Sequence, residues 1–245
     1  LYLKSLRNQQ YDNWEAWLLG EEERQDGKIN FIKADATAKE EKLLEASKRL
    51  YAIADKPDFI IRIDDDDLVP SYLLRDIANL NFDCYADKYH FVYELESGRS
   101  MLRKNPWLAS TVVMSYNHAV KRMEKWGGKP LFACDHSLAF EPYFRNKNII
   151  FAPAGKPVYY RVLSPSSQSV TSKSHGATSD PYHFYVKGLG RWNYFPVKGF
   201  PVFANELRKL AQIHLGSTPK AGGGTLAMWY NLLLNTLSLR LNSSG

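Results

Sequence analysis

Short apolar runs alternate with amphipathic stretches along the first two thirds of the chain. Apolar residues at 1, 3 and 6 predict the end of a helix over 1–8, and the run 14–19 predicts a short strand closed by Gly20 and the acidic Glu21, Glu22 and Glu23. A second strand is predicted over 29–32. Residues 37–54 carry Leu43, Leu44, Ala46, Leu50 and Ile53 on one stripe, the spacing of a helix that buries one face. The run 59–63 then predicts a strand that passes directly into four consecutive aspartates, Asp64, Asp65, Asp66 and Asp67, with a helix beginning near Ser71. Strands alternating with helices predict an α/β architecture, with a mixed, mostly parallel sheet flanked by helices.

Further along, 89–103 holds two extended stretches around Ser97 and Gly98 and predicts a hairpin. A strand is predicted over 108–114, and a helix capped by Asn117 and running to Lys125, where Gly127 and Gly128 stop it. Asp135 heads a short helical pattern containing Leu138 and Phe140. The span 163–181 is rich in Ser, Thr and Gly and predicts a loop of the kind that closes over a substrate. From Tyr182 the character changes: aromatic residues crowd 182–203, a helix is predicted over 205–214, and 216–224 reads as a linker. Residues 225–239 contain no charged side chain. As a helix that run is too short to span a bilayer; it docks on the domain or lies on a membrane surface, and docking is the expectation. The chain thus divides into a first part, 1–181, and a C-terminal helical extension, 182–245.

Composition narrows the class. Of 245 residues, 44% are hydrophobic and 24% charged, which fits a soluble globular protein of one ordinary domain with an appendage. Two cysteines, Cys84 and Cys134, are too few for a disulfide framework and fit a reducing compartment. No signal-peptide pattern opens the chain and no apolar stretch reaches the length of a membrane span, so a cytoplasmic location is expected. The net charge of +6 conceals an asymmetry. Residues 1–100 carry 14 Lys+Arg against 21 Asp+Glu, a net of −7, whereas residues 101–245 carry 18 against 5, a net of +13. A field of that sign in the second half suits a diphosphate, an acidic acceptor, an anionic membrane surface or nucleic acid.

The acidic run is the strongest chemical signal. In an extended segment Asp64 and Asp66 point to one side and Asp65 and Asp67 to the other, and two carboxylates on one side make a hard oxygen site suited to Mg²⁺ or Mn²⁺. A solvated acidic turn, with one aspartate capping the following helix, is the plain alternative. A strand before the run and a helix after it favour a metal or phosphate site, because open α/β sheets bind ligands at the carboxyl ends of their strands.

Three segments then resemble the GT-A fold glycosyltransferases of the family 2 kind. LYLKSLRNQQYDNWEAWLL is similar to that family's first helix and second strand, with Gln10 in place of the usual threonine. FIIRIDDDDLVP is similar to its DxD strand, and its Arg-Ile-Asp-Asp-Asp-Asp form is also similar to a set of proteins assigned as rhamnosyltransferases. WLASTVVMSYNHAVKRMEKWGGKPLFACDHSLAF resembles the later block of strand, helix, Gly-Gly and an acidic residue before an apolar helix, with Cys134 where the family often has a second carboxylate. The matches cover about residues 1–165. The family also has a central first strand that this chain does not show at its start. Either that strand lies outside the chain or another segment takes its place, and 225–239 is the candidate.

The resemblance implies a GT-A (Rossmann-like) catalytic domain over 1–181. Its implied activity is metal-dependent transfer of a sugar from a nucleotide-diphosphate donor to an acceptor hydroxyl, in glycan or polysaccharide synthesis. It implies Asp66 as a ligand of Mn²⁺ or Mg²⁺, Asp64 facing the metal or the ribose, and His175 as a further ligand, with Asp64, Asp65 and Asp66 at the nucleotide-sugar site, Asp65 directed to the other side and Asp67 behind the ligands. Arg161 and Lys173 are candidates for the diphosphate on charge and position. Glu21 lies where relatives bind the nucleotide base, and Trp107, Trp126 and Trp192 offer rings for stacking on a sugar, Trp107 foremost. Asp135 is the expected general base, its pKa raised by partial burial beside Phe132 and Phe140, with inversion at the anomeric carbon as the family implication; it also suits a helix cap. The expected partners are a nucleotide sugar and a hydroxyl acceptor, without nucleic acid, and with peripheral membrane contact open to the basic second half. Competing classes are a metal-dependent phosphohydrolase or nuclease, and a non-catalytic nucleic-acid or sugar-binding module.

Overall fold

A computed structural model describes residues 2–34, 38–64, 67–94, 100–104, 108–109, 111–153, 155–163, 195–197 and 237–241. In chain order it contains α1 (Tyr2–Arg7), β1 (Trp14–Gly20), β2 (Arg24–Asp26), β3 (Ile29–Lys33), α2 (Lys39–Ala52), β4 (Phe59–Ile63), β5 (Asp67–Leu68), α3 (Leu73–Ile77) and β6 (Cys84–Ala86). There follow β7 (Tyr89–Glu94), β8 (Ser100–Lys104), β9 (Val113–Ser115), α4 (Tyr116–Ala119), β10 (Arg122–Met123), β11 (Lys129–Pro130) and α5 (His136–Phe144). The remaining strands are β12 (Ile149–Phe151), β13 (Tyr160–Leu163), β14 (Phe195–Val197) and β15 (Leu237–Leu241).

The main sheet has eight strands in the order β12-β6-β9-β4-β15-β1-β3-β2. The expected α/β class holds, and the sheet is mixed. The mostly parallel pairing does not hold: β1–β3 and β6–β12 are parallel, and every other neighbouring pair is antiparallel. The two reversed strands inside the sheet, β9 and β15, are the reason. Even so, β12, β6, β4, β1 and β3 all run the same way, so their carboxyl ends share one edge. A second sheet, β14-β8-β7-β13-β5, carries the expected hairpin as the antiparallel pair β7–β8.

β4 is buried throughout, and its alternation feeds two cores. Phe59, Ile61 and Ile63 join Leu6, Tyr72, Leu73, Leu74, Ile77 and Tyr160 on the side of α1, α3 and the second sheet. Ile60 joins Leu43, Ala46, Leu50, Phe132, Phe140 and Phe144 on the side of α2 and α5. α2 matches the predicted stripe, since Leu43, Ala46 and Leu50 are all buried.

Three sequence expectations change here. The strand predicted over 108–114 starts only at Val113 and ends at Ser115, as β9. The helix predicted from Asn117 to Lys125 is only the one turn of α4; the chain then forms β10, a 3₁₀ turn at Glu124–Trp126, and β11. Gly127 and Gly128, at φ of 69° and 72°, allow the tight β10–β11 reversal, which a side chain at either position would strain. For the run 225–239, a docked helix is the expectation and the place of a missing central strand the alternative; its last residues, Leu237–Leu239, belong to β15. β15 lies antiparallel between β1 and β4, with Leu239 opposite both Ala16 and Ile61, in the middle of the sheet. Of the loop expected over 163–181 only Leu163 is described, as the end of β13; the helix expected over 205–214 lies outside the described residues, as do 164–194 and 198–236. Among the described residues no helix is long and apolar enough to cross a membrane.

Candidate functional site

The carboxyl end of β4 is where the chain leaves one sheet and enters the other. The Asp67 amide donates to the Asp64 carbonyl at 3.0 Å, so the acidic run turns rather than continuing as an extended strand. The turn separates the carboxylates. Asp67 opens β5, and its buried side chain accepts a hydrogen bond from Thr111 Oγ1 at 2.9 Å, which makes it part of the packing between sheets. Asp64 remains at the edge of the main sheet, its side chain about one quarter exposed. Asp65 and Asp66 lie outside the described residues.

Cations surround Asp64. Lys39 Nζ, from the first residue of α2, donates to Asp64 Oδ1 at 2.7 Å. Burial alone would push the Asp64 carboxyl up, but the charges of Lys39, Arg62 and Arg161 outweigh it and hold the group below the usual carboxylate range. Arg161 sits on β13 opposite Asp67, so this expected diphosphate residue is brought within electrostatic reach of Asp64.

Arg62 links that strand end to the segment carrying Asp135. It lies two residues before Asp64 on the same side of β4 and is 3% exposed. Its Nη1 donates to the carbonyls of Phe132 at 2.9 Å and Cys134 at 3.1 Å, and its guanidinium stands 5.3 Å from the Phe140 ring centre. Burial lowers its pKa against the opposing charges of Asp64 and Asp135. A charge withdrawn from water in this way is tolerable only because anions and carbonyls face it.

Asp135 caps α5, accepting from the Ser137 amide at 2.8 Å and the Ser137 hydroxyl at 2.6 Å. The expected upward shift of its pKa is overturned. Asp135 is exposed, and the Ser137 hydroxyl bond outweighs its partial desolvation, holding the carboxyl below the ordinary range. Asp135 is thus a helix cap, and its charge, like that of Asp64, acts on Arg62. Cys134, next to it, is a buried thiol that donates to the Pro130 carbonyl at 3.4 Å.

Two residues of this cluster escaped the sequence reading. His136 begins α5 and is partly buried; burial and Arg62 push its pKa down to about 4 against Asp135 and Asp64, so the ring is neutral at pH 7. Its only signal in the sequence was adjacency to Asp135. Lys39 gave none, because a lysine at a helix start reads as a solvated side chain.

Of the remaining expected residues, Glu21 and Trp126 are described. Glu21 is exposed directly after β1, on the same edge of the sheet but two strand positions from β4, roughly 10 Å by strand spacing. Trp107, Lys173, His175 and Trp192 lie outside the described residues. Trp126 packs partly buried against the α2–α5 core, as a structural residue does. Cavities of about 450 Å³ beside Trp17, Arg24 and Phe31, and of about 330 Å³ beside Asp87, Tyr89 and Phe151, are lined by other residues than these.

Among the described residues no group of three or more His, Cys, Asp or Glu side chains is placed to hold a metal. Asp64 itself fits a hard cation: it is an oxygen donor, ionised, partly accessible, and already turned toward a positive charge. Comparison with models of protein families, with curated proteins and with solved structures finds no match to this chain.

Proposed function

We propose that the protein is a metal-dependent glycosyltransferase that moves a sugar from a nucleotide-diphosphate donor to an acceptor hydroxyl, with a GT-A type of domain built on the main sheet. The observation that carries this reading is the pairing of an ionised carboxylate, Asp64, with Lys39, Arg62 and Arg161 at the carboxyl end of a central strand, with Asp135 acting on the same Arg62. A carboxylate among cations suits a ligand that itself joins a cation to an anion, as a metal–diphosphate does. Asp64 would hold Mn²⁺ or Mg²⁺, together with Asp66 by the sequence resemblance, and the ion would neutralise charge on the departing diphosphate. Arg161 and Lys39 would orient the phosphate oxygens, while Arg62, pinned by two carbonyls, keeps the Asp64 and Asp135 segments in register.

In the transfer, the acceptor oxygen bonds to the anomeric carbon as the bond from that carbon to the phosphate oxygen breaks. The hydroxyl proton passes to Asp135, and the nucleoside diphosphate leaves. The lowered pKa keeps Asp135 ionised, hence in its proton-accepting form, at neutral pH.

Thermal unfolding with UDP, GDP or dTDP, with and without Mn²⁺, tests this reading. The matching nucleotide at about 100 times its Kd should raise Tm by roughly 5–10 °C only when metal is present. Asp64→Asn should abolish that gain. Asp135→Asn should leave nucleotide binding intact and reduce transfer by about 10²- to 10⁴-fold, since asparagine still caps α5 but takes no proton. Stabilisation by RNA or DNA alone would defeat the proposal.

A further inference from the structure

Among the described residues three cations weigh on Asp64, and they differ in their freedom to move. Arg62 is buried and fixed by the carbonyls of Phe132 and Cys134. Arg161 belongs to a strand paired on both sides, by β5 and by β7. Lys39 is different: its side chain is about half exposed, on a flexible four-carbon stem, and it reaches Asp64 Oδ1 at 2.7 Å. It also stands at the first position of a 14-residue helix, where the helix dipole favours an anion and disfavours a cation. An ammonium held there by the Asp64 carboxylate is poised to turn to any stronger anion that arrives.

We infer that Lys39 is an exchangeable counter-ion of Asp64, giving up the carboxylate to a divalent cation and transferring its own charge to the diphosphate that arrives with it. This rests on the transferase reading and adds the way its site is loaded. A divalent ion on Asp64 repels an ammonium at hydrogen-bond distance from the same oxygen, so metal alone must displace Lys39 with no anion to receive it. With a diphosphate present, the displaced ammonium gains phosphate oxygens at the α2 start, where negative charge is favoured. Metal and diphosphate should therefore bind synergistically, each weakly alone. The device also keeps Asp64 paired between turnovers.

The test measures Mn²⁺ binding by electron paramagnetic resonance, alone and with UDP, GDP or dTDP, on the full chain and on Lys39→Gln. The exchange predicts opposite movements. Lys39→Gln should bind Mn²⁺ alone about threefold to tenfold more tightly, because the competing ammonium is gone, and should bind the Mn²⁺–nucleotide pair more weakly by a similar factor. Lys39→Arg should restore nucleotide binding at least in part. If the wild type binds a nucleotide with Mn²⁺ but Lys39→Gln leaves Mn²⁺ affinity unchanged or lower, the exchange is overturned and the transferase reading stands. If no nucleotide binds the wild type with Mn²⁺, the transferase reading falls and this inference with it.

Discussion

Asp64 and Asp67 show how little a run of identical residues says about the fate of each. Both belong to one acidic stretch, yet a turn leaves the first among cations at a sheet edge and buries the second against Thr111. Asp87 shows the opposite balance. It is 3% exposed and accepts from the Val158 amide at 3.0 Å, but burial exceeds the help of those backbone bonds and pushes its pKa up to about 8. A carboxyl whose folded pKa lies above its unfolded value takes up a proton on folding. Its stabilising contribution is complete below pH ~4 and is lost as pH rises toward about 8. The Asp87→Asn variant lacks this titration. Denaturant unfolding of both proteins should show the wild type losing stability relative to the variant across that window, by at most ~1.4 kcal/mol per pH unit. A pH-independent difference would mean that Asp87 is ionised in the folded protein.

Elements, more than residues, were legible in the sequence. α2, β1, β3, β4 and the β7–β8 hairpin fall within a few residues of their predicted places, because each buries one face and the burial leaves a period in the sequence. The segment after β9 was misread because Asn117, Lys125 and two glycines fit the start and stop of a helix, and the competing β10–β11 reversal involves only two residues on each side. The tether between β4 and the start of α5 was invisible, since no local pattern announces that an arginine will reach carbonyls 70 and 72 residues away. Arg62→Lys should test that tether. The ammonium keeps the charge beside Asp64 but lacks the planar fork, and loss of one of the two carbonyl bonds should lower the unfolding free energy by about 1–3 kcal/mol in urea or guanidinium titration. An unchanged value would show that the two carbonyls do not depend on the guanidinium.

At the scale of the molecule the decisive feature is β15. It fills the space between β1 and β4 and supplies hydrogen-bond partners to both, so two strands that run parallel to each other are joined by one running against them. Without it, the facing backbone groups of β1 and β4 would be buried and unpaired. Leu239→Pro removes a donor from the centre of this pairing and imposes a backbone that a central strand does not accept. Thermal melting followed by circular dichroism should show Tm lower by roughly 10 °C or more, or no cooperative transition at all. An unaltered melt would show that the sheet does not rely on this strand.

The sequence by itself determined the α/β class, most of the strands and helices of the first 100 residues, the position of the acidic run at a strand end, and Asp135 at the head of a helix. These are local properties: periodicity, caps and turns act over a few residues and are written where they operate. Only the tertiary structure decided that Asp64 faces cations while Asp67 is buried, that Lys39 and His136 join the cluster, that Asp135 is held acidic, and that residues 237–241 lie in the middle of the sheet. Each of those depends on what is brought close from elsewhere in the chain. Charge interaction and desolvation act through space, and a single sequence carries no record of distance.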